Sequence, residues 1–170
     1  MNQPEQFPDA ERLCRELAEM MRPHVAADTA LVGIYTGGVW LAERLHAMLG
    51  IAQPLGSLDV SFHRDDFSRT GLKAGLKASS LPCEIEGAHV ILVDDVLYTG
   101  RTVRAAVNEL FDFGRPASVD LAVLVDRGGR ELPVCARFCA HVLIHPLLAS
   151  QNLQLERGED GVLALRLVGD

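Results

Sequence analysis

The stretch HVILVDDVLYTGRT (89–102) decides the fold. Its first half, HVILVDD (89–95), is an uninterrupted apolar and β-branched run, as in a central parallel strand covered on both faces. Its second half sets Thr99, Gly100, Arg101 and Thr102 ahead of Val103, Ala106, Val107, Leu110 and Phe111, which recur at helical spacing until Gly114 and Pro116. A strand, a small-residue turn and a helix in that order make an anion site, because the first N–H groups of the helix have no partner within it. Yet Asp94 and Asp95 stand at the entrance to this turn with the wrong charge for a phosphate. They are placed for a different part of the ligand.

The same alternation extends in both directions. DAERLCRELAEMM (9–21) spaces Leu13, Leu17, Met20 and Met21 as one helix face, with Asp9 as N-cap and Pro23 beyond its end. ALVGIY (30–35) reads as a buried strand running into Gly37-Gly38, and VWLAERLHAML (39–49) as a helix with Leu41, Leu45, Met48 and Leu49 on one face and its stop at Gly50. GSLDVSFH (56–63) alternates Leu58, Val60 and Phe62 with polar residues, as a half-exposed strand does. Residues 64–80 lose periodicity and carry Arg64, Arg69, Lys73 and Lys77 against Asp65 and Asp66, a loop that reads either as a solvated surface or as a lid for an anion. VDLAVLV (119–125) is another strand, and NLQLE (152–156) and VLALRL (162–167) are appended strands that cover one end. The expectation is an α/β protein with a mostly parallel central sheet flanked by helices, in one domain spanning 1–170.

Composition narrows the function. With 48% hydrophobic and 23% charged residues and no apolar run of membrane-spanning length, the chain reads as a folded soluble domain. MNQPEQFPDAE, at the start, has neither a basic nor an apolar segment, so no signal peptide and a cytoplasmic location are expected. Cys135, Cys139, His141 and His145 are spaced too tightly for the usual zinc finger and read as side chains of a late strand. A net charge of -7 weighs against nucleic-acid binding over the whole surface.

Three turns follow predicted strands and share one rim: Thr36-Gly37-Gly38, Asp94 through Thr102, and Asp126-Arg127-Gly128-Gly129-Arg130. None has the Gly-Lys-Ser/Thr end of a P-loop or the dinucleotide-binding glycine fingerprint. A ribose 5-phosphate carrying a magnesium-chelated pyrophosphate matches the distribution of charge, with its phosphate in the turn and its hydroxyls before the two carboxylates. The alternative is a receiver-type acidic pocket.

VILVDDVLYTGRT (90–102) resembles the phosphoribosyl diphosphate signature of type I phosphoribosyltransferases. Tyr98 and Arg101, with LAVLVDRGGRELP (121–133), SFHRDDF (61–67) and GRPASV (114–119), resemble the pyrimidine operon attenuation regulator/uracil phosphoribosyltransferase (PyrR-type) branch. The resemblance spans residues 9 to about 137. It implies the type I fold with a small strand-rich hood. Asp94 and Asp95 would bind the ribose hydroxyls, meeting Mg2+ through those hydroxyls or through water, and Val96, Leu97, Tyr98, Thr99, Gly100, Arg101 and Thr102 would wrap the 5-phosphate. Thr36, Gly37 and Gly38 would form the pyrophosphate loop, Arg64 would contact pyrophosphate, and Arg127 would border uracil. The implied reaction converts uracil and phosphoribosyl diphosphate to UMP and pyrophosphate in a homo-oligomer. Binding of pyr leader RNA, as an attenuator sensing UMP and phosphoribosyl diphosphate with little catalysis, is the alternative role. Residues 1–30 bear on it, with six acidic residues (Glu5, Asp9, Glu11, Glu16, Glu19, Asp28) against Arg12, Arg15 and Arg22.

Overall fold

A computed structural model describes residues 7–61 and 78–169. Helix α1 (Ala10–Met21) starts where Asp9 accepts a hydrogen bond from the Arg12 N–H at 2.6 Å, and it buries Leu13, Leu17 and Met21. Met20, expected on the same face, is 45% exposed; Cys14 and Ala18 fill the stripe instead. Strand β1 (Thr29–Ile34) is buried throughout and leads into α2 (Gly37–Leu49). That helix begins two residues earlier than its apolar spacing predicts, since Gly37 and Gly38 form its first turn. It ends at Gly50 in the left-handed region, as expected.

The stretch expected as a strand over 56–63 is shorter. β2 (Gly56–Leu58) is only its first part, although the burial of Leu58 and Val60 keeps the expected alternation. Phe62 and His63, and the basic loop with Arg64, Arg69, Lys73 and Lys77, lie outside the described residues. Next come β3 (His89–Leu97), α3 (Arg101–Asp112), β4 (Ser118–Asp126) and β5 (Phe138–Val142). On α3 the expected Val103, Ala106 and Leu110 are buried and Val107 is half-buried, whereas Phe111 is 50% exposed and Ala105 is buried in addition.

The five strands form one parallel sheet in the order β2-β1-β3-β4-β5, with β3 at its centre. Central placement explains its composition: Ile91 and Val93 face α1 and α2, Val90 and Leu92 face α3, and all four are inaccessible to solvent. Strand order reverses between β1 and β3, and open α/β sheets bind ligands beyond the carboxyl ends of the strands at that switch point. Two further strands, β6 (Asn152–Arg157) and β7 (Leu163–Val168), form a separate antiparallel hairpin. Leu153, Leu155 and Leu163 join the core on the α1/α2 side, so the hairpin caps that layer at one end. No helix among the described residues is long and apolar enough to cross a membrane.

Candidate functional site

A pocket opens at the carboxyl end of β3, lined by Asp94, Asp95, Val96, Leu97, Tyr98, Gly100, Thr102, Val103, Arg127, Asn152 and Leu153. Three pieces of chain build it: the β3–α3 turn, the start of the loop after β4, and the first residues of the hairpin. The sequence pointed to the first two. Asn152 and Leu153 escaped it, because their place depends on a hairpin far along the chain folding back over the sheet.

Asp94 and Asp95 are 3% and 4% exposed, unusual burial for carboxylates. Asp94 accepts a hydrogen bond from the Asp95 N–H at 3.0 Å, and Asp95 accepts one from the Leu155 N–H at 3.0 Å. The second carboxylate therefore anchors the hairpin as well as lining the pocket. Gly37 packs against it so closely that a Cβ there would collide with the Asp95 carboxylate, and a Cβ on Gly38 would lie 2.5 Å from the Val93 carbonyl oxygen. Both glycines are buried, so Thr36 is the half-exposed member of the expected pyrophosphate loop. The structure brings this loop against the acidic pair, although Thr36, Gly37 and Gly38 are not part of the pocket lining.

In the turn, Gly100 has a φ of 94°, a conformation that favours glycine, and it passes control to the N-terminus of α3. The loop after β4 clasps this turn from outside. The Glu131 and Leu132 N–H groups donate to the Thr99 carbonyl at 3.0 and 3.1 Å. Arg130 reaches the Tyr98 carbonyl at 2.6 Å and Asp126 at 2.5 Å. Two of the residues expected at the phosphate have protein partners. Thr99 is 4% exposed, with its hydroxyl accepting from the Arg101 N–H at 3.2 Å, and the Arg101 guanidinium points outward to Glu131 at 2.6 and 2.8 Å. Thr102, Tyr98 and the backbone of Gly100 remain on the pocket side.

Arg127 is 4% exposed, with its guanidinium carbon 3.9 Å from the centroid of the Tyr98 ring. It donates to the Gln151 carbonyl at 3.0 Å and the Leu148 carbonyl at 3.4 Å, the residues that lead into β6. Expected beside the base, it lines the pocket and also fastens the cover to the floor. Trp40 is half-buried under Arg157, 5.0 Å from its ring centroid, in a packing role as its place in α2 suggests.

Among the described residues no group of three or more His, Cys, Asp or Glu side chains is placed to hold a metal ion. Cys135 is exposed, and the Cys139 thiol donates to the His141 carbonyl at 3.2 Å. Asp94 and Asp95 are two buried carboxylates without a third, a donor set that fits the one or two carboxylates at which Mg2+ sites commonly stop.

Residues 3–145 match the family model described as phosphoribosyl transferase domain. "Bifunctional protein PyrR" of Pseudomonas paraeruginosa is 48% identical, covering 96% of this chain and 90% of its own length. The chain belongs to the PyrR family of phosphoribosyltransferases. Another PyrR relative, from Pseudomonas entomophila, is 55% identical over 75% of this chain and 77% of its own. Among solved structures, a hypoxanthine-guanine phosphoribosyltransferase from Bacillus anthracis superposes with a TM-score of 0.65 at 17% identity, covering 85% of this chain and 86% of that one. A hypoxanthine phosphoribosyltransferase from Staphylococcus aureus gives 0.63 at 20%, covering 82% and 76%. At such identities the likeness to the purine enzymes establishes the fold, and the PyrR sequences place the chain within it.

Proposed function

We propose that this protein is a uracil phosphoribosyltransferase, converting uracil and phosphoribosyl diphosphate to UMP and pyrophosphate, and that it also regulates pyrimidine genes. The observation that carries the reading is the buried Asp94–Asp95 pair beside the Gly100 turn and the start of α3, in one pocket under the hairpin. The helix start and Thr102 suit the 5-phosphate, and the carboxylates suit the ribose hydroxyls, which donate hydrogen bonds to them. Thr36 and the first turn of α2 suit the pyrophosphate, and Arg64 is assigned to the same group by sequence resemblance. Magnesium bound with the pyrophosphate supplies charge neutralisation at the leaving group. The chain's own part is positional: it fixes the sugar between two rigid elements so that the bond to the leaving group breaks as positive charge develops on the ribose. Negative charge at Asp94 and Asp95 stabilises that change.

The whole chain acts as one domain in the cytoplasm, assembled as a homo-oligomer. The regulatory half of the reading rests on relatives named as bifunctional, and its ligand would be pyrimidine-operon leader RNA. Formation of UMP from uracil, with hypoxanthine and orotate run alongside, tests the enzyme. Uracil-dependent product is expected; turnover of another base alone, or of none, would overturn it. A leader-RNA mobility shift that UMP strengthens and salt weakens is the expected regulatory result. Absence of a shift at low salt would leave the enzyme alone.

A further inference from the structure

The loop after β4 meets the outer side of the β3–α3 turn at three successive carbonyls. Leu97 accepts from the Arg127 N–H at 3.0 Å, Tyr98 from Arg130 Nη1 at 2.6 Å, and Thr99 from the Glu131 and Leu132 N–H groups at 3.0 and 3.1 Å. The peptides of this turn are trans, since among the described residues the cis bond is Tyr35–Thr36. In a planar trans peptide the C=O and the N–H that follows it point in opposite directions. Drawing the three carbonyls toward the loop therefore turns the N–H groups of Tyr98, Thr99 and Gly100 away from it. Successive N–H groups aimed to one side form the concavity that holds an anion.

Arg130 stands apart in this set. The flanking carbonyls are held by backbone N–H groups, which every residue except proline supplies, whereas the middle one is held by a side chain. That side chain is itself fixed. Arg130 Nη2 donates to Asp126 Oδ2 at 2.5 Å, the two side chains are only 24% and 19% exposed, and Asp126 also accepts from the Gly128 N–H at 2.9 Å. The same loop encloses the Tyr98 ring, with the Arg127 guanidinium over it and Gly129 so close that a Cβ there would strike it.

We propose that Arg130, anchored by Asp126, is a positioning residue for the 5-phosphate: by holding the Tyr98 carbonyl it keeps the Tyr98–Thr99 peptide turned with its N–H toward the phosphate. The inference rests on the phosphoribosyltransferase reading above and adds the loop after β4 to the phosphate site. Arg130 acts through the turn and not on the ligand. Without it the peptide is free to rotate, and part of the binding energy of the phosphate is spent on restoring its orientation.

The test compares the affinities of UMP and of uridine, which lacks the phosphate, by calorimetry. Arg130→Met, of similar length but without donors, should bind UMP about tenfold more weakly, as for one lost hydrogen bond to a charged group. Its affinity for uridine should stay within about twofold, which also shows that the variant is folded. Arg130→Lys keeps the charge and one donor for Tyr98, and should recover part of the loss. A double variant, Asp126→Asn with Arg130→Met, has the net charge of the unmodified protein; UMP binding should remain weak in it, because Tyr98 still lacks its donor. Recovery in the double variant would overturn the assignment by showing that Arg130 acts through its charge alone. Equal weakening of UMP and uridine, the mark of a merely structural residue, would overturn it too, as would unchanged UMP binding. The unmodified protein separates the two levels. If it prefers UMP to uridine, a negative result at Arg130 removes this inference alone; if it does not, the reading of the phosphate turn fails first.

Discussion

At the residue scale, Asp94 and Asp95 stand side by side but do different work. Asp94→Asn keeps the shape and a hydrogen-bond acceptor while removing the charge, so the fold should survive and kcat/KM should drop by about 10- to 1000-fold, in the range of lost electrostatic stabilisation. Asp95→Ala removes the acceptor for the Leu155 N–H as well, and should cost about 1–3 kcal/mol of stability in addition to activity. Steady-state kinetics beside urea unfolding would separate the two, and equal stability losses would contradict the division. Thiol chemistry offers a further check on burial. Burial, reinforced by the neighbouring Glu11 charge, pushes the Cys14 thiol up to about 12, whereas Cys135 is exposed. Cys135 should react promptly with a disulfide reagent in the native protein and Cys14 only on unfolding.

At the scale of elements, the hairpin is the interesting piece. A two-stranded hairpin is marginal alone, and this one is secured at several points. Leu155 N–H meets Asp95, Leu163 N–H meets Glu11 at 2.9 Å, Arg44 donates to the Gly161 carbonyl at 2.6 Å, and Arg127 grips its entry. Glu11 also faces Arg44 at 3.3 Å, so a residue of the first helix orients a cover formed by the last strands. Arg127→Ala should loosen residues 148–152 and remove the face packed on Tyr98. Faster amide exchange in β6 and weaker UMP binding are expected, with β3 exchange unchanged. Uniform acceleration across the sheet would show instead that Arg127 supports the whole fold.

At the scale of the molecule, the end of the sheet opposite the pocket carries a polar network that ties its strands together. His89 Nε2 lies 2.7 Å from Asp120 Oδ2, Arg137 donates to the same oxygen at 2.6 Å, and His24 Nδ1 lies 3.2 Å from Arg137. Burial by itself would raise the Asp120 carboxyl, but the hydrogen bonds of His89 and Arg137 outweigh it and hold it below its ordinary value. A carboxylate depressed in the folded state stabilises above its unfolded pKa and loses that contribution as pH falls through its folded one. Asp120→Asn should therefore cost about 1–3 kcal/mol near neutrality. The deficit should shrink as pH falls below the ordinary carboxylate range, toward the lower value at which the folded Asp120 carboxyl takes up a proton. A deficit independent of pH would assign the loss to packing.

Local pattern was enough for the parallel sheet and most helices, because buried strands and amphipathic helices write their periods directly into the chain. HVILVDD (89–95) reads as a central strand since a strand covered on both faces needs apolar side chains at consecutive positions, as at Val90, Ile91, Leu92 and Val93. The acidic pair and the Gly100 turn were legible for the same reason: a strand, a turn and a helix start are neighbours in sequence. Contacts between distant segments had no such trace. That Gly37 must be glycine because Asp95 presses on it, that Arg101 turns outward to Glu131, and that Asn152 reaches the pocket depended on α2, the loop after β4 and β6 converging on β3. Spacing along the chain was enough to show most of the elements and where charge gathers. Which of those charges line the pocket and which pair with other parts of the protein was settled by the fold, because a side chain's partners are set by packing across the sheet rather than by spacing along it.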